Sequence, residues 1–162
     1  MKEESMPSMS RRTALAALAA APLLGASQAL SQSLPRVSVT KDPSCGCCQG
    51  WVSHLRRSGF QVAVSESADM QSVKKRLGVP DELASCHTGE VAGYVLEGHV
   101  PAAEVKRLLA EKPKARGLAV PGMPSGSPGM EVANGNLDTY EIVQFGPEGR
   151  KTFARYRGGR PA

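Results

Sequence analysis

Residues 42–51 read DPSCGCCQGW and contain three of the four cysteines of this 162-residue chain. Residues 36–40, shortly before this segment, alternate apolar and polar side chains, which predicts a β-strand. After it, Trp51, Val52 and Leu55 recur at helical spacing, which predicts an amphipathic helix. The Asp-Pro-Ser at its start is typical of a turn that leads into a helix. The cysteines are therefore expected where the first strand ends and the first helix begins.

Disulfide bonds alone explain this cluster of thiols poorly. Adjacent Cys47 and Cys48 can pair only through a strained ring, whereas a Cys45–Cys48 bridge fits and leaves one thiol over. Thiolates are soft ligands that favour Cu(I), zinc and iron–sulfur clusters, and a helix N-terminus lowers the pKa of a cysteine there. Cys45 and Cys48 can point at one ion, while Cys47 suits a bridge between ions. A metal cluster is the main hypothesis, and a disulfide with a spare buried thiol is the alternative.

The N-terminal segment is typical of an export signal. Arg11 and Arg12 precede a short Ala/Leu run that ends in the small residues a signal peptidase recognises. The run is too short to span a membrane, and the paired arginines resemble the twin-arginine signal, with the general secretory route left open. The sequence thus predicts that residues 1–29 are a signal peptide and that residues 30–162 form a single domain outside the cytoplasm.

Charge and hydropathy exclude two classes of function. The formal net charge of the whole chain is +5 at pH 7, with basic residues spread along it, which favours solubility over nucleic-acid binding. Beyond the signal segment, no apolar run is long enough for a membrane span. A mature chain of roughly 130 residues is expected to form one domain.

The order of the predicted elements indicates an α/β fold of the thioredoxin-like type, with a central mixed β-sheet flanked by helices. In that fold the loop before the third strand packs against the start of the first helix, so Cys86 and His87 are expected beside the cysteine motif. Cys86 would be a fourth sulfur ligand or a small buried apolar residue, and His87 a metal donor or the cap of a turn. The remaining elements are expected to be strand 60–64, helix 68–77, strand and turn 91–98, a short return strand 99–100 and helix 101–111.

The C-terminal part departs from the minimal fold. Segment 117–130, GLAVPGMPSGSPGM, is expected to be irregular, and Met123 and Met130 each end a Pro-Gly-Met triplet in it. Strands 139–145 and 152–156 are expected to form a β-hairpin. Because thioethers bind Cu(I) but hold zinc poorly, the methionines favour copper, with a packing role as the alternative.

Two further histidines are weaker candidates. His54 lies too far along the helix axis to share an ion with the cysteines, and we expect it to be a packed or surface residue. His99 can be a ligand if its strand directs it inward.

Three sequence blocks together resemble the CopG-like proteins, a family long catalogued as a domain of unknown function. The blocks are CGCCQGWVSHL, SCHTGEVAGYVLEGHVP and GLAVPGMPSGSPGM, in this order, within residues 37–156. The resemblance implies a periplasmic, thioredoxin-like protein of copper-resistance gene clusters that binds several copper ions in a thiolate cluster. It also implies a set of metal-site residues, which are the motif cysteines Cys45, Cys47 and Cys48, the Cys-His pair Cys86 and His87, and the loop methionines Met123 and Met130.

The favoured function is therefore an exported copper-binding protein that sequesters Cu(I) or transfers it to another periplasmic copper carrier or efflux component. Interconversion of Cu(I) and Cu(II) is left open, and so is turnover as a copper or thiol oxidoreductase. A periplasmic thiol–disulfide oxidoreductase is the alternative, although such an enzyme has no need of Cys47. A structural disulfide domain with an interaction role is the third hypothesis.

Overall fold

The structure is a computed structural model that describes residues 33–133 and 135–162. Within these residues the chain forms one mixed β-sheet of eight strands. The expected signal peptide, residues 1–29, lies outside these described residues. Within them, no helix combines the length and apolar character needed to cross a membrane.

Among the described residues, three α-helices pack with this sheet. The helices are α1 (Gly46–Arg57), α2 (Met70–Leu77) and α3 (Ala102–Glu111), and a short 3-10 helix spans Asp81–Leu83. The strands are β1 (Val37–Lys41), β2 (Val62–Glu66), β3 (His87–Val91), β4 (Tyr94–Glu97), β5 (Gly117–Ala119), β6 (Thr139–Gly146), β7 (Gly149–Arg157) and β8 (Arg160–Pro161). Their order in the sheet is β2-β1-β3-β4-β5-β6-β7-β8. The pairs β1/β2 and β4/β5 are parallel, and the other neighbours are antiparallel.

The apolar face of α1 holds the helix against the sheet. Trp51, Val52 and Leu55 are fully buried, as the helical spacing predicts, and they join Val37 and Val39 of β1 in one core cluster. Complete burial of a side chain of this size contributes about 1.5–3 kcal/mol. The first turn of α1, which contains the cysteines, is thus fixed at the end of β1.

The predicted strand and turn 91–98 contains one strand of the structure but misses the strand before it, and the predicted return strand 99–100 is wrong. The structure has two strands here, β3 and β4, joined by a tight turn at Ala92-Gly93, and residues 99–100 are in neither. Both turn residues have positive φ, 47° and 87°, as a type I′ hairpin turn requires. The sequence pattern concealed β3 because this strand lies inside the sheet, where His87, Thr88 and Gly89 are buried as well as Val91. His87 consequently belongs to a central strand and not to a loop.

Segment 117–130 is also more regular than expected at its start. Gly117–Ala119 forms β5, which lies between β4 and β6 in the sheet. It pairs parallel with β4 and antiparallel with β6. All three residues are buried. An apolar run this short has no alternation that distinguishes a buried strand from a buried loop. Beyond β6, the chain turns at Gly146–Gly149 and returns as β7, with a register shift between Ile142 and Val143.

Candidate metal centre

The turn before α1 places the cysteine motif at a helix start. Asp42 Oδ1 accepts from the backbone N–H of Ser44 (2.8 Å), and the N–H of Cys45 donates to the Asp42 carbonyl (3.1 Å). Cys45 is the N-cap residue of α1, and Cys47 and Cys48 lie in the first turn. The motif is therefore located where the sequence predicts it, next to the unpaired amides of a helix N-terminus.

Four cysteine sulfurs meet at this point. Those of Cys45, Cys47, Cys48 and Cys86 all lie within 4.8 Å of one another. The sulfur of Cys47 is 3.6 Å from that of Cys45 and 3.7 Å from that of Cys86, which precedes β3. The expected approach of Cys86 to the motif is thus present in the structure, and Cys47 is close to both Cys45 and Cys86.

The sulfurs are in a partly oxidised state. Cys45 and Cys48 form a disulfide, while Cys47 and Cys86 are free thiols. This is the bridge that the spacing allows. Because thiolates rather than disulfides are the metal ligands, binding of an ion by all four sulfurs requires reduction of the bridge first.

Burial and the neighbouring Cys47 raise the pKa of the Cys86 thiol to about 11. Without a metal, Cys86 is consequently a protonated thiol near neutral pH. A metal ion that binds its sulfur must displace this proton.

His87, the first residue of β3, contacts this cluster from inside the sheet. Its side chain is fully buried, with Nδ1 3.2 Å from Cys86 Sγ and the ring 4.4 Å from that of Trp51 between centroids. Its Nε2 has no hydrogen-bond partner among the described residues. An unsatisfied buried polar atom costs on the order of 1–3 kcal/mol. Burial lowers the pKa of His87 to about 3, so the ring is neutral at neutral pH.

His99, which the sequence indicated only conditionally, faces the same sulfur. Its Nε2 lies 3.3 Å from Cys86 Sγ, and its Nδ1 lies 2.9 Å from the Pro128 carbonyl oxygen. Because a carbonyl can only accept, Nδ1 carries the proton and donates it, which leaves a lone pair on Nε2. Gly98, with φ 69°, reverses the chain so that His99 turns inward between β4 and α3.

The two Pro-Gly-Met triplets are placed differently. Met123 is 56% exposed, whereas Met130 is half-buried. Met130 directly follows Pro128 and Gly129, which contact the residues of the centre. Pro128 accepts from His99, and Gly129 lies so close to α1 that a Cβ on it would be 2.5 Å from the Trp51 nitrogen. The second triplet therefore reaches the centre through its backbone.

A buried carboxylate fixes the chain just before Cys86. Glu97 is fully buried; its Oε1 accepts from the backbone N–H of Ser85 (2.6 Å) and pairs with Lys74 Nζ (2.5 Å). Its Oε2 accepts from the hydroxyl of Thr88 (2.7 Å). Loss of one partner of such a buried pair typically costs about 3–5 kcal/mol. Sequence reasoning missed this support, because a lone Glu in a short strand reads as exposed.

His54 has a structural contact outside the cluster. Its Nε2 accepts from the backbone N–H of Ala102 (3.0 Å) at the start of α3. This contact agrees with its interpretation as a packed histidine.

A family model matches the part of the chain that contains much of this centre. The family model described as "Protein of unknown function, DUF411" matches residues 83–130, which include Cys86, both imidazoles of the cluster and both methionines. No curated protein matches the chain significantly.

Two solved structures are similar to the chain over most of its length. Copper resistance protein copG, form 1, is 45% identical with a TM-score of 0.72, and the match covers 77% of this chain and 99% of that one. Form 2 of the same protein has the same identity and TM-score, with 76% and 98% covered. The chain therefore belongs to the CopG-like family of copper resistance proteins.

Proposed function

We propose that this protein binds several Cu(I) ions through Cys45, Cys47, Cys48 and Cys86 and thereby contributes to copper resistance. The observation that supports this most strongly is the convergence of four sulfurs within 4.8 Å at a helix N-terminus. Four thiolates in so small a volume are a soft donor set, which Cu(I) prefers.

The position of Cys47 supports a cluster over a single ion. Its sulfur lies 3.6 Å from that of Cys45 and 3.7 Å from that of Cys86. A thiolate this close to two other sulfurs can bridge two ions. His87, Met123 and Met130 complete the proposed donor set, with the methionines as weak, exchangeable ligands or as a lid.

The disulfide supports a redox role in the same site. Reduction of the Cys45–Cys48 bridge takes up two electrons and two protons and supplies two thiols to the cluster. In the opposite direction, two thiols reduce two Cu(II) ions to Cu(I), release two protons and form the bridge. Interconversion of Cu(I) and Cu(II) is thus part of the proposal.

The sheet order β2-β1-β3-β4, with β1 and β2 parallel and β3 antiparallel to β1, supports a thioredoxin-like arrangement of the first four strands. The antiparallel pair β6/β7 would then be the C-terminal hairpin added to it. We further propose that residues 1–29 are removed on export and that residues 30–162 act in the periplasm. There the protein would pass copper to another carrier or an efflux component.

A thiol–disulfide oxidoreductase is a second candidate, favoured by a disulfide of C-x-x-C spacing at the start of α1. Insulin reduction with dithiothreitol distinguishes the two. The copper hypothesis predicts turnover no higher than that of the reductant alone, and turnover comparable with a dithiol oxidoreductase would favour the second candidate.

Anaerobic titration with Cu(I) tests the proposed function. Residues 30–162 are fully reduced, loaded in excess Cu(I), desalted and analysed for copper per chain. The matched control is the same chain with its Cys45–Cys48 disulfide intact. We expect more than one ion per reduced chain and at most one per oxidised chain. Equal copper content in the two forms, at one ion or fewer, would contradict the proposal.

A further inference from the structure

We propose that the end of the sheet opposite the cysteines is a docking site for a partner protein, which it recognises through an acidic chain segment that also carries an apolar side chain. The site consists of two adjoining cavities, one basic and one apolar. It is separate from the metal centre, so the inference does not depend on the proposed copper chemistry.

The site lies at the turns that are farthest along the strands from the metal centre. The centre is at the end of β1 and the start of β3. The two cavities are lined by the turns that join β3 to β4 and β6 to β7, together with the loop between α3 and β5. The length of β3, from His87 to Val91, is about 13 Å. A partner bound at this end therefore leaves the cysteines uncovered for exchange of an ion.

The basic cavity has more cations than carboxylates. It is lined by Lys114, Arg150 and Lys151, with Glu148 as the one carboxylate among its described lining residues. Arg150 already pairs with Glu82 (2.6 Å), whereas the two lysines are exposed and form no ion pair within the described part of the chain. The volume is about 80 Å³, which is large enough for a carboxylate group. Charge and size thus favour an acidic side chain as the ligand.

Gln144 is an independent sign of a ligand in this cavity. Its side chain is 8% exposed, lines the cavity and forms no hydrogen bond with the described residues. The β6/β7 register places it directly opposite Lys151, so the two side chains leave the sheet on the same face. A largely buried amide without a partner is unfavourable. A carboxylate oxygen beside Lys151 would accept a hydrogen bond from its NH₂ group.

The apolar cavity adjoins the basic one at Lys114 and Ala115, which line both. Its volume is about 380 Å³, enough for a leucine or phenylalanine side chain. The apolar part of its wall comes from the turn, α3 and the two loops, namely Tyr94, Leu109, Pro113, Ala115 and Pro147. An exposed fourth cation, Lys112, also lines it.

Hydrogen bonds hold these walls in place. The hydroxyl of Tyr94 donates to the Pro113 carbonyl (3.0 Å), and the backbone N–H of Arg116 donates to the Phe145 carbonyl (2.8 Å). The loop and the hairpin are so close that a Cβ on Gly146 would lie 2.6 Å from the Arg116 nitrogen. A preformed site loses little conformational entropy when it binds a ligand.

The two cavities together favour one class of occupant. A membrane surface would contact the exposed lysines but would not enter a cavity to reach Gln144. A small inorganic anion would fill the basic cavity and leave the apolar one empty. An extended peptide segment, whose side chains alternate along about 3.3 Å per residue, can place a carboxylate in one cavity and an apolar side chain in the other.

A ¹H–¹⁵N NMR titration of the metal-free, disulfide-bonded chain of residues 30–162 tests this inference. The probe is the pentapeptide EELFE, acetylated and amidated at its ends. The comparison peptides are KKLFK, which reverses the charges, and EEGSE, which lacks the apolar side chains. We expect EELFE to bind at least about tenfold more tightly than either, and to shift the side-chain NH₂ signal of Gln144 and the backbone signals around Lys114.

Three outcomes would overturn the proposal. They are no EELFE binding at millimolar concentration, equal binding of EELFE and EEGSE, and tighter binding to phosphatidylglycerol vesicles than to EELFE. Because no metal is present, failure of this test leaves the proposed copper binding intact, and failure of the Cu(I) titration leaves this site intact.

Two charge reversals on β7 provide a matched pair. Lys151→Glu should weaken EELFE binding by at least about tenfold, because it removes the cation opposite Gln144. Arg157→Glu changes the net charge equally, at an exposed position about 20 Å farther along the same strand, and should leave the affinity unchanged. Equal weakening by the two variants would show that EELFE responds only to net charge and would overturn the site.

Discussion

The glycines of the two Pro-Gly-Met triplets provide a matched pair of substitutions. Gly122 and Gly129 both have positive φ, 67° and 89°, so alanine at either position is conformationally unfavourable. They differ in their surroundings. A Cβ at Gly122 has nothing within 4 Å, whereas one at Gly129 would lie 2.5 Å from the backbone nitrogen of Trp51 and 2.9 Å from the carbonyl carbon of Gly50.

The expected loss of stability follows from these contacts. The left-handed conformation costs an L-residue about 1–2 kcal/mol, which is the expected effect of Gly122→Ala. Gly129→Ala adds the cost of inserting a methyl group between two backbones, about 1–3 kcal/mol, for a total of about 2–5 kcal/mol. The loop can avoid the clash only by moving away from α1, and the Pro128 carbonyl would then leave His99.

Two measurements check this prediction. Urea unfolding of the reduced, metal-free chain gives the free energy of unfolding of each variant, and Cd(II) competition gives the affinity of the metal centre. We expect Gly129→Ala to be the less stable variant and to bind Cd(II) more weakly, with Gly122→Ala unchanged in affinity. Equal stability and equal affinity in the two variants would refute the docking of this loop on α1.

Three other predictions concern the sulfurs and the buried imidazole. Cys45→Ser should remove most bound Cu(I) without unfolding the chain, and Cys47→Ser should be equally severe for a cluster but milder for a single ion, as copper analysis would show. Changing both Met123 and Met130 to Leu should cost less than about 1.5 kcal/mol and leave the number of ions unchanged. It should alter the rate of copper loss to a chelator, and an unaltered rate would assign the methionines to packing. Because the folded-state pKa of His87 is lowered from 6.5 to about 3, its contribution to stability is complete above pH 6.5 and is lost as the pH falls towards 3. Between neutral pH and pH ~5 this amounts to about 2 kcal/mol, and urea unfolding should show a smaller pH dependence in His87→Gln. An identical pH dependence in that variant would contradict the assignment.

The sequence predicted the parts of the site that depend on local pattern. Turn residues followed by apolar residues at helical spacing were sufficient to place Cys45 at the start of α1. The approach of Cys86 needed a fold analogy as well, because the contact joins residues 39 apart in the chain. Both features are present in the structure.

The sequence could not predict the features that depend on the direction of individual side chains. His99 faces the centre because Gly98 adopts a positive φ, which a one-dimensional pattern does not specify. Glu97 is buried because Lys74 reaches it from α2, a contact across 23 residues of sequence. The start of β3 was missed because its polar residues are buried inside the sheet.

X-ray absorption at the copper K-edge of the Cu(I)-loaded, reduced chain tests the central claim most directly. The account predicts more than one copper per chain, a first shell dominated by sulfur and a second copper at short distance from each absorber, because Cys47 bridges. A first shell of nitrogen and oxygen, or sulfur-bound copper with no copper neighbour at full loading, would contradict a multinuclear cluster of Cys45, Cys47, Cys48 and Cys86.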